Sequence, residues 1–88
     1  MTTQQEPNGT PDLIRAARDE QHMTLRDFGA ALSVSHAMVA LWESGENTPD
    51  RARIAAWITD ERPWVRSLGL HLFAQQYRAL IQNVLVPA

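Results

Sequence analysis

Hydrophobic positions recur three and four residues apart in four short segments of the first 60 residues, with polar residues between them. This spacing predicts amphipathic helices, and each segment begins at or just after a residue that can cap a helix. The predicted helices cover about 11–21, 25–32, 36–44 and 49–58. Their predicted caps are Thr10, Thr24, Ser35 and Thr48. Residues 1–9 are polar and contain a proline and a glycine, so they predict a disordered tail.

Apolar side chains on one face of each predicted helix indicate a small shared core. The residues expected to face inward are Leu13, Ile14, Ala17, Phe28, Ala31, Leu32, Val39, Trp42, Ile54, Ala55, Trp57 and Ile58. No segment alternates β-branched and polar residues as a strand does. The sequence therefore predicts an all-α fold with about five helices.

Residues 61 to about 85 predict one long helix or two helices with a break, and their apolar pattern changes face midway. One stripe consists of Trp64, Val65, Leu68 and Leu72. The other has nearly heptad spacing and consists of Leu70, Phe73, Tyr77, Leu80, Ile81 and Val84. At about 100° per residue the two stripes point roughly 150° apart, with Gly69 at the changeover. Either the helix bends there, or its two halves pack on different neighbours.

Composition narrows the class of protein. Hydrophobic residues make up 44% of the 88 residues and charged residues 20%, which is typical of one small globular domain. Cysteine is absent, which excludes disulfides, thiolate metal sites and a cysteine nucleophile. No apolar stretch approaches the length of a membrane span and no signal-peptide pattern opens the chain, so the expected location is the cytoplasm.

The helices predicted at 25–32 and 36–44 are separated by only three residues, a spacing typical of a helix-turn-helix motif. Such a motif presents its second helix to the major groove of DNA. Small side chains are needed where the two helices cross, and the chain offers Gly29, Ala30, Ala37 and Ala40.

Three segments resemble the Cro/CI-type repressor domain, the xenobiotic-response-element family of bacterial regulators. They read IRAARDEQHMTLRDFGAALSVS from residue 14, MVALWESG from residue 38 and TPDRARIAAWI from residue 48. The resemblance implies a five-helix, lambda-repressor-like domain, here with an extended C-terminal helix. It also implies a structural ion pair between Arg18 and Glu43. Both residues lie beside core positions, where a charge needs a partner.

The same resemblance places the DNA contacts. It implies that bases are contacted by His36, Ala37, Ala40 and Leu41, with Met38 at the rim. It implies that phosphates are contacted from the caps Thr24 and Ser35 and from the loop that contains Asn47 and Thr48.

Charge adds two further residues to this site. All eight basic residues are arginines, and the formal net charge is −2, which argues against a protein that coats polyanions without specificity. Arg26 at the start of the second helix and Arg51 at the start of the fourth are candidates for contacts with backbone phosphates. The alternative is a solvated helix face, since Asp27 and Asp50 lie beside them.

We expect the heptad stripe of the last segment to form a homodimer interface, and packing on the protein's own helices is the alternative. The chain then divides into a disordered tail (1–9), a helix-turn-helix domain (10–59) and a C-terminal helical dimerisation segment (60–88).

The function predicted from these features is sequence-specific binding of a double-stranded DNA operator by a homodimeric transcriptional regulator, in particular a repressor. One alternative is a helix-turn-helix module that binds a protein partner, as an anti-regulator or adaptor. An antitoxin is a third interpretation. No motif of an enzyme, a metal site or a cofactor site appears, so we expect neither catalysis nor a bound cofactor.

Overall fold

The computed structural model of the protein describes the backbone of residues 9–85 and the side chains of residues 9–78 and 80. Within this range the chain forms helices and no strand, so the predicted all-α fold is confirmed. The five helices are α1 (Thr10–Glu20), α2 (Leu25–Leu32), α3 (His36–Ser44), α4 (Arg51–Ile58) and α5 (Pro63–Leu85). Contacts among them divide the chain into two compact units, one ending at Thr48 and the other starting at Pro49.

The first unit consists of α1, α2 and α3, with α3 packed on both of the others. Its buried apolar side chains are Ile14, Phe28, Leu32, Val39 and Trp42. Leu13, Ala17 and Ala31, which were also expected to face inward, are half-buried. The predicted tail 1–9 lies outside the described residues except for Gly9.

The N-terminus of α1 differs from the prediction. Thr10 is the first helical residue and Gly9 is the N-cap, so the prediction that Thr10 caps this helix is wrong. The Gly9 carbonyl accepts a hydrogen bond from the Leu13 amide at 3.0 Å. Pro11 occupies the first turn, where a missing backbone N–H costs nothing.

Capping chemistry sets the bounds of α2 and α3 at the predicted residues. The Thr24 hydroxyl accepts a hydrogen bond from the Asp27 amide at 3.0 Å, and the Thr24 amide faces the Asp27 carboxylate, which together form a capping box. The Ser35 hydroxyl accepts from the Met38 amide at 3.1 Å. Gly45 ends α3 in the left-handed region at φ 85°, where a residue without a β-carbon avoids strain.

Gly29 allows the turn between α2 and α3 to close tightly. A β-carbon at this position would lie 2.6 Å from the Val34 carbonyl oxygen. Of the four small residues predicted at the helix crossing, Gly29 alone is buried, whereas Ala30, Ala37 and Ala40 are exposed. The prediction that these three alanines are needed at the crossing is wrong, because their side chains point away from it.

The fourth helix begins two residues later than predicted. Asp50, and not Thr48, is its N-cap, and the Asp50 carboxylate accepts a hydrogen bond from the Arg53 amide at 2.8 Å. Pro49 therefore precedes the helix.

The second unit consists of α4 packed on α5. Its buried apolar side chains are Ile54, Trp57, Val65, Leu68 and Leu72. Gly69 brings the two helices close together, because a β-carbon there would lie 2.9 Å from both the Ile58 nitrogen and the Trp57 β-carbon. Ala55 is exposed, so its predicted burial is wrong for a single chain. The sequence predicts a domain boundary between residues 59 and 60, which would separate α4 from α5. In the structure, α4 and α5 belong to the same compact unit.

The last segment is one continuous helix. Asp60 organises its start by accepting hydrogen bonds from the Arg62 backbone amide at 2.8 Å and from the Arg62 guanidinium at 2.9 Å. These bonds lower the pKa of the Asp60 carboxyl from 3.8 to about 2. Pro63 then occupies the first helical position.

Candidate nucleic-acid interface

Helix α3 has one buried side and one exposed side. Val39 and Trp42 are 0% and 1% exposed and anchor the helix in the first unit. His36, Ala37 and Ala40 are exposed on the other side. The predicted base-contacting residues thus occupy a convex surface of small and short side chains, supported from behind by a large aromatic ring.

Met38 and Leu41 lie at the edge of that surface and are half-buried. Both are held by the loop that follows α3. The Asn47 side-chain amide donates toward the Met38 sulfur at 3.6 Å, and the backbone amides of Glu46 and Asn47 donate to the Leu41 carbonyl at 3.1 and 3.2 Å. The structure therefore brings Asn47 beside the α3 surface.

The helix-cap side chains can donate hydrogen bonds to phosphates, as the predicted contacts require. The hydroxyls of Thr24 and Ser35 each accept one capping hydrogen bond, which leaves the O–H of each side chain as a donor. Both residues are exposed, as is Thr48, whose backbone amide donates to the Asn47 side-chain oxygen at 2.9 Å.

The end of α3 is held to α1 by an ion pair. Arg18 Nε donates to Glu43 Oε2 at 2.6 Å, and Arg18 Nη2 donates to Glu43 Oε1 at 3.0 Å. The side chains are 19% and 10% exposed, so water screens the pair only partly. The hydrogen bonds to Glu43 raise the pKa of Arg18. These are the two residues between which the sequence predicts a structural pair.

Arg15 joins this pair and was not singled out from the sequence. Its guanidinium donates to the Glu43 carbonyl oxygen at 2.9 Å and lies 3.6 Å from the Glu43 carboxylate. The signal was present, because Arg15 and Arg18 are three residues apart and so share one face of α1. Two arginines thus fix the C-terminal end of α3 from one side.

The two predicted cationic contacts lie in different units. Arg26 is exposed near the start of α2 and makes no hydrogen bond or ion pair within the part of the chain that the structure describes. Arg51 is exposed at the start of α4 in the second unit. Residues 9–48 carry three arginines and six carboxylates, so the first unit has a net negative charge.

The second unit has an uncovered apolar surface of its own. Leu70, Phe73, Tyr77 and Leu80 are each between 50% and 55% exposed on α5. The rings of Phe73 and Tyr77 stack with their centroids 6.1 Å apart and their planes within 9°. Ile81 and Val84, which the sequence adds to this stripe, have side chains outside the described residues.

A groove that was not predicted from the sequence borders this stripe. It has a volume of about 390 Å³ and lies between α4 and α5. Its lining comprises Arg51, Ile54, Ala55, Ile58, Phe73, Gln76, Tyr77 and Leu80. The lining residues have the same spacing on both helices, with four residues on each. This shared spacing is the sequence feature from which the groove could have been predicted.

Two further observations concern metal ions and membranes. Across residues 9–78 and 80, no three histidine, aspartate or glutamate side chains are grouped closely enough to hold a metal ion. None of the described helices combines the length and apolar character needed to cross a bilayer.

The chain is similar to a known protein family over the region that contains α2 and α3. A family model described as helix-turn-helix matches residues 14–61, which is more than half of the chain and includes both helices of the motif. Neither the curated proteins nor the solved structures include a significant match to this chain.

Proposed function

Because the chain belongs to the Cro/CI-type helix-turn-helix family, whose members are DNA-binding regulators, we propose that it is a sequence-specific transcriptional repressor. It acts as a homodimer with α3 in the major groove of each half of an operator. The observation that carries this proposal is the two-sided character of α3, which is anchored by Trp42 and exposes His36, Ala37 and Ala40.

The exposed side of α3 suits the floor of the major groove. Its small side chains allow the helix backbone to approach the base edges closely. Ala37, Ala40 and the edge of Leu41 can contact thymine methyl groups, and His36 can hydrogen-bond to a base or a phosphate. An operator rich in A·T pairs at the centre of each half-site is the expected target.

Phosphates are held mainly by uncharged donors in this proposal. The hydroxyls of Thr24 and Ser35 and the backbone amides at the starts of α2 and α3 provide them. Arg26 and Arg51 add the charged contacts, with Asn47 and Thr48 in the loop. Since affinity falls with salt in proportion to the phosphates neutralised by cations, we expect a shallow salt dependence, with a slope of about −2 to −4 per dimer.

Dimerisation compensates for the few contacts that each copy makes. The exposed stripe on α5 is the surface that supports it, since four large apolar side chains in one row are costly to leave in water. A symmetric dimer requires half-sites related by a two-fold axis, about 10 base pairs apart from centre to centre. A dimer bound over a promoter represses by excluding the polymerase.

The test begins with selection from random double-stranded DNA at low salt, followed by titration of the enriched sequence against salt. We expect one palindromic sequence to emerge. His36→Ala and Leu41→Ala should change base preference, each by about 1–3 kcal/mol at the contacted position. His71→Ala is the matched control, because His71 is exposed on α5 in the second unit.

Failure of this selection would contradict the proposal. No enriched sequence, together with a salt slope near zero, removes the DNA-binding role. A reporter gene placed behind the selected operator tests the direction of regulation, and increased transcription in the presence of the protein would contradict repression.

The negative first unit favours one second candidate, a helix-turn-helix module that binds a protein. The exposed side of α3 carries no basic residue, and six carboxylates outnumber three arginines in residues 9–48. An anti-regulator, an adaptor or an antitoxin would use the same surface against a basic partner. A purified toxin or regulator encoded next to this chain, bound through α3 and lost in Leu41→Arg, would support this candidate when DNA selection fails.

A further inference from the structure

We propose that the groove between α4 and α5 receives α5 of a second copy, so that the dimer interface is a four-helix arrangement built from both helices of each second unit. The inference rests on the homodimer of the proposed function and assigns its site. It adds α4 to an interface that the sequence confined to the last helix.

The groove has the shape of a binding site for a helix. Its walls are two rows with the same spacing, namely 51, 54, 55 and 58 on α4 and 73, 76, 77 and 80 on α5. Positions i, i+3, i+4 and i+7 form one face of a helix over two turns, which is about 10 Å. A groove between two such rows matches the ridge of side chains on a third helix.

Helix α5 itself carries a ridge of side chains that suits this groove. Leu70, Phe73, Tyr77 and Leu80 follow one another at intervals of three, four and three residues. All four are large, apolar and half-exposed. Because Phe73, Tyr77 and Leu80 also line the groove, the ridge and the groove are continuous. A two-fold axis therefore lets each copy offer its ridge to the other copy's groove.

The exposed stripe on α5 is too small to form a dimer interface by itself. Phenylalanine and tyrosine side chains bury about 200 Å² each and leucines less, so the four half-exposed residues present at most roughly 400 Å² per copy. Two such patches total about 800 Å², which is less than the roughly 1,000 Å² that a specific interface buries. Engagement of the α4 wall adds the missing area.

The α4 wall is built for close approach. Ile54 is 2% exposed and forms the floor, and Ile58 is half-buried. Ala55 is exposed between them, and its short side chain allows another helix axis to come near. Gln76 lies among the lining residues as a polar group, in keeping with the polar rim of an interface.

The experiment compares Ala55→Glu with Ala52→Glu by sedimentation equilibrium over a wide range of protein concentrations. Both alanines are exposed on α4, but Ala52 is outside the groove lining. We expect the unmodified protein and Ala52→Glu to dimerise equally well. Ala55→Glu should raise the dimer dissociation constant at least about 100-fold, because a longer, charged side chain fills the space that Ala55 leaves for the second helix. Circular dichroism should report the same helix content in all three.

A second measurement avoids disrupting the interface. Since the chain has no cysteine, Ala55→Cys and Ala52→Cys each introduce a single thiol. Modification of the thiol at position 55 should slow at least about tenfold as protein concentration rises and the groove fills, whereas the rate at position 52 should stay constant.

The outcomes separate this inference from the proposed function. Tyr77→Asp should also dissociate the dimer. If Tyr77→Asp is monomeric while Ala55→Glu dimerises like Ala52→Glu, the groove is not the site, although the homodimer stands. A protein that is monomeric at every concentration overturns both the groove and the homodimer, and the DNA selection then decides separately whether α3 binds an operator.

Discussion

Helices α3 and α5 both leave a side uncovered, but the two surfaces are made of different side chains. The exposed side of α3 carries His36, Ala37 and Ala40, which present little apolar area. The exposed side of α5 carries Phe73 and Tyr77 among four large apolar residues. Water tolerates the first surface at little cost and disfavours the second. This difference supports the proposals that α3 approaches DNA and that a second copy covers α5.

The largest expected effect separates a core aromatic residue from an exposed one. Trp42→Ala should lower the free energy of unfolding by about 3–5 kcal/mol, because it empties the space behind α3. Phe73→Ala should cost less than about 1 kcal/mol at low protein concentration. Denaturant unfolding at several protein concentrations measures both.

The concentration dependence distinguishes the roles of the two rings. The loss caused by Phe73→Ala should grow with concentration, because the substitution weakens the dimer, whereas the loss caused by Trp42→Ala should not. A Phe73→Ala loss that is large and independent of concentration would mean that Phe73 belongs to the core of a single chain.

A smaller effect is expected at the turn that presents α3. Gly29→Ala should destabilise the protein by about 2 kcal/mol, since the new methyl group meets the Val34 carbonyl oxygen and the turn must open. Gly9→Ala is the control, because its β-carbon would lie 3.7 Å from the nearest side-chain atom and only the weaker N-cap preference of alanine, under about 1 kcal/mol, is lost. Thermal unfolding measures both, and equal melting temperatures would show that the turn yields without cost.

The ion pair at the end of α3 should contribute less than the turn. Glu43→Gln leaves the half-buried Arg18 without a counter-charge and should cost about 1.5 kcal/mol. Glu46→Gln removes an exposed carboxylate from the same region and should change stability by less than about 0.5 kcal/mol. If the two variants unfold at the same denaturant concentration, the Arg18 pair has no stabilising role.

The smallest effect is a pH dependence in the second unit. The pKa of Asp60 is lowered to about 2 in the folded protein, so its stabilisation is complete above the unfolded value near 4 and is lost as pH falls toward 2. The melting temperature of the unmodified protein should therefore exceed that of Asp60→Asn by a constant small amount above about pH 5. The difference should shrink between about pH 4 and pH 2.

Glu61→Gln is the matched control for this titration. Glu61 is exposed beside Asp60, and its carboxylate makes no hydrogen bond within the part of the chain that the structure describes. A melting difference that stays constant down to pH 2 in Asp60→Asn would contradict the role of Asp60 at the start of α5.

Much of the fold could be predicted because its helix ends use strong local chemistry. Thr24 with Asp27, Ser35 and Gly45 each have a specific capping partner or backbone conformation, and the predicted bounds of α2 and α3 are confirmed. The buried positions of these helices follow the 3.6-residue period. The core predictions at Phe28, Val39 and Trp42 are therefore also confirmed.

The tripeptide Thr-Pro-Asp occurs twice, and the two copies show that local sequence does not determine the first residue of a helix. At residue 10 the threonine is helical and Gly9 is the cap, whereas at residue 48 the aspartate is the cap and the proline precedes the helix. Both sites offer the same three residues. Local signals thus predict that a helix starts nearby, and the residue that starts it depends on the surrounding packing, in which Pro49 is buried and Pro11 only half-buried.

The candidate site, like the fold, has some features that local sequence predicts and others that it does not. The burial of Val39 and Trp42 follows from the apolar period of α3 and could be predicted, whereas Ala37 and Ala40 were expected at the helix crossing and are exposed. The likeness to a DNA-binding family could also be predicted, and the match over residues 14–61 supports it. The placement of Asn47 beside Met38, the second arginine on Glu43 and the groove between α4 and α5 could not be predicted. Each joins residues from different elements.

The amino-acid order by itself determined the helical class, the helix-turn-helix spacing and the two apolar stripes of the last segment, because caps and periodicity act over one or two turns. Only the tertiary structure decided that α4 packs on α5 through Gly69 and that Ala55 stays exposed at a groove. Those outcomes depend on how closely two backbones approach each other, and that distance is set by side chains far apart in the chain.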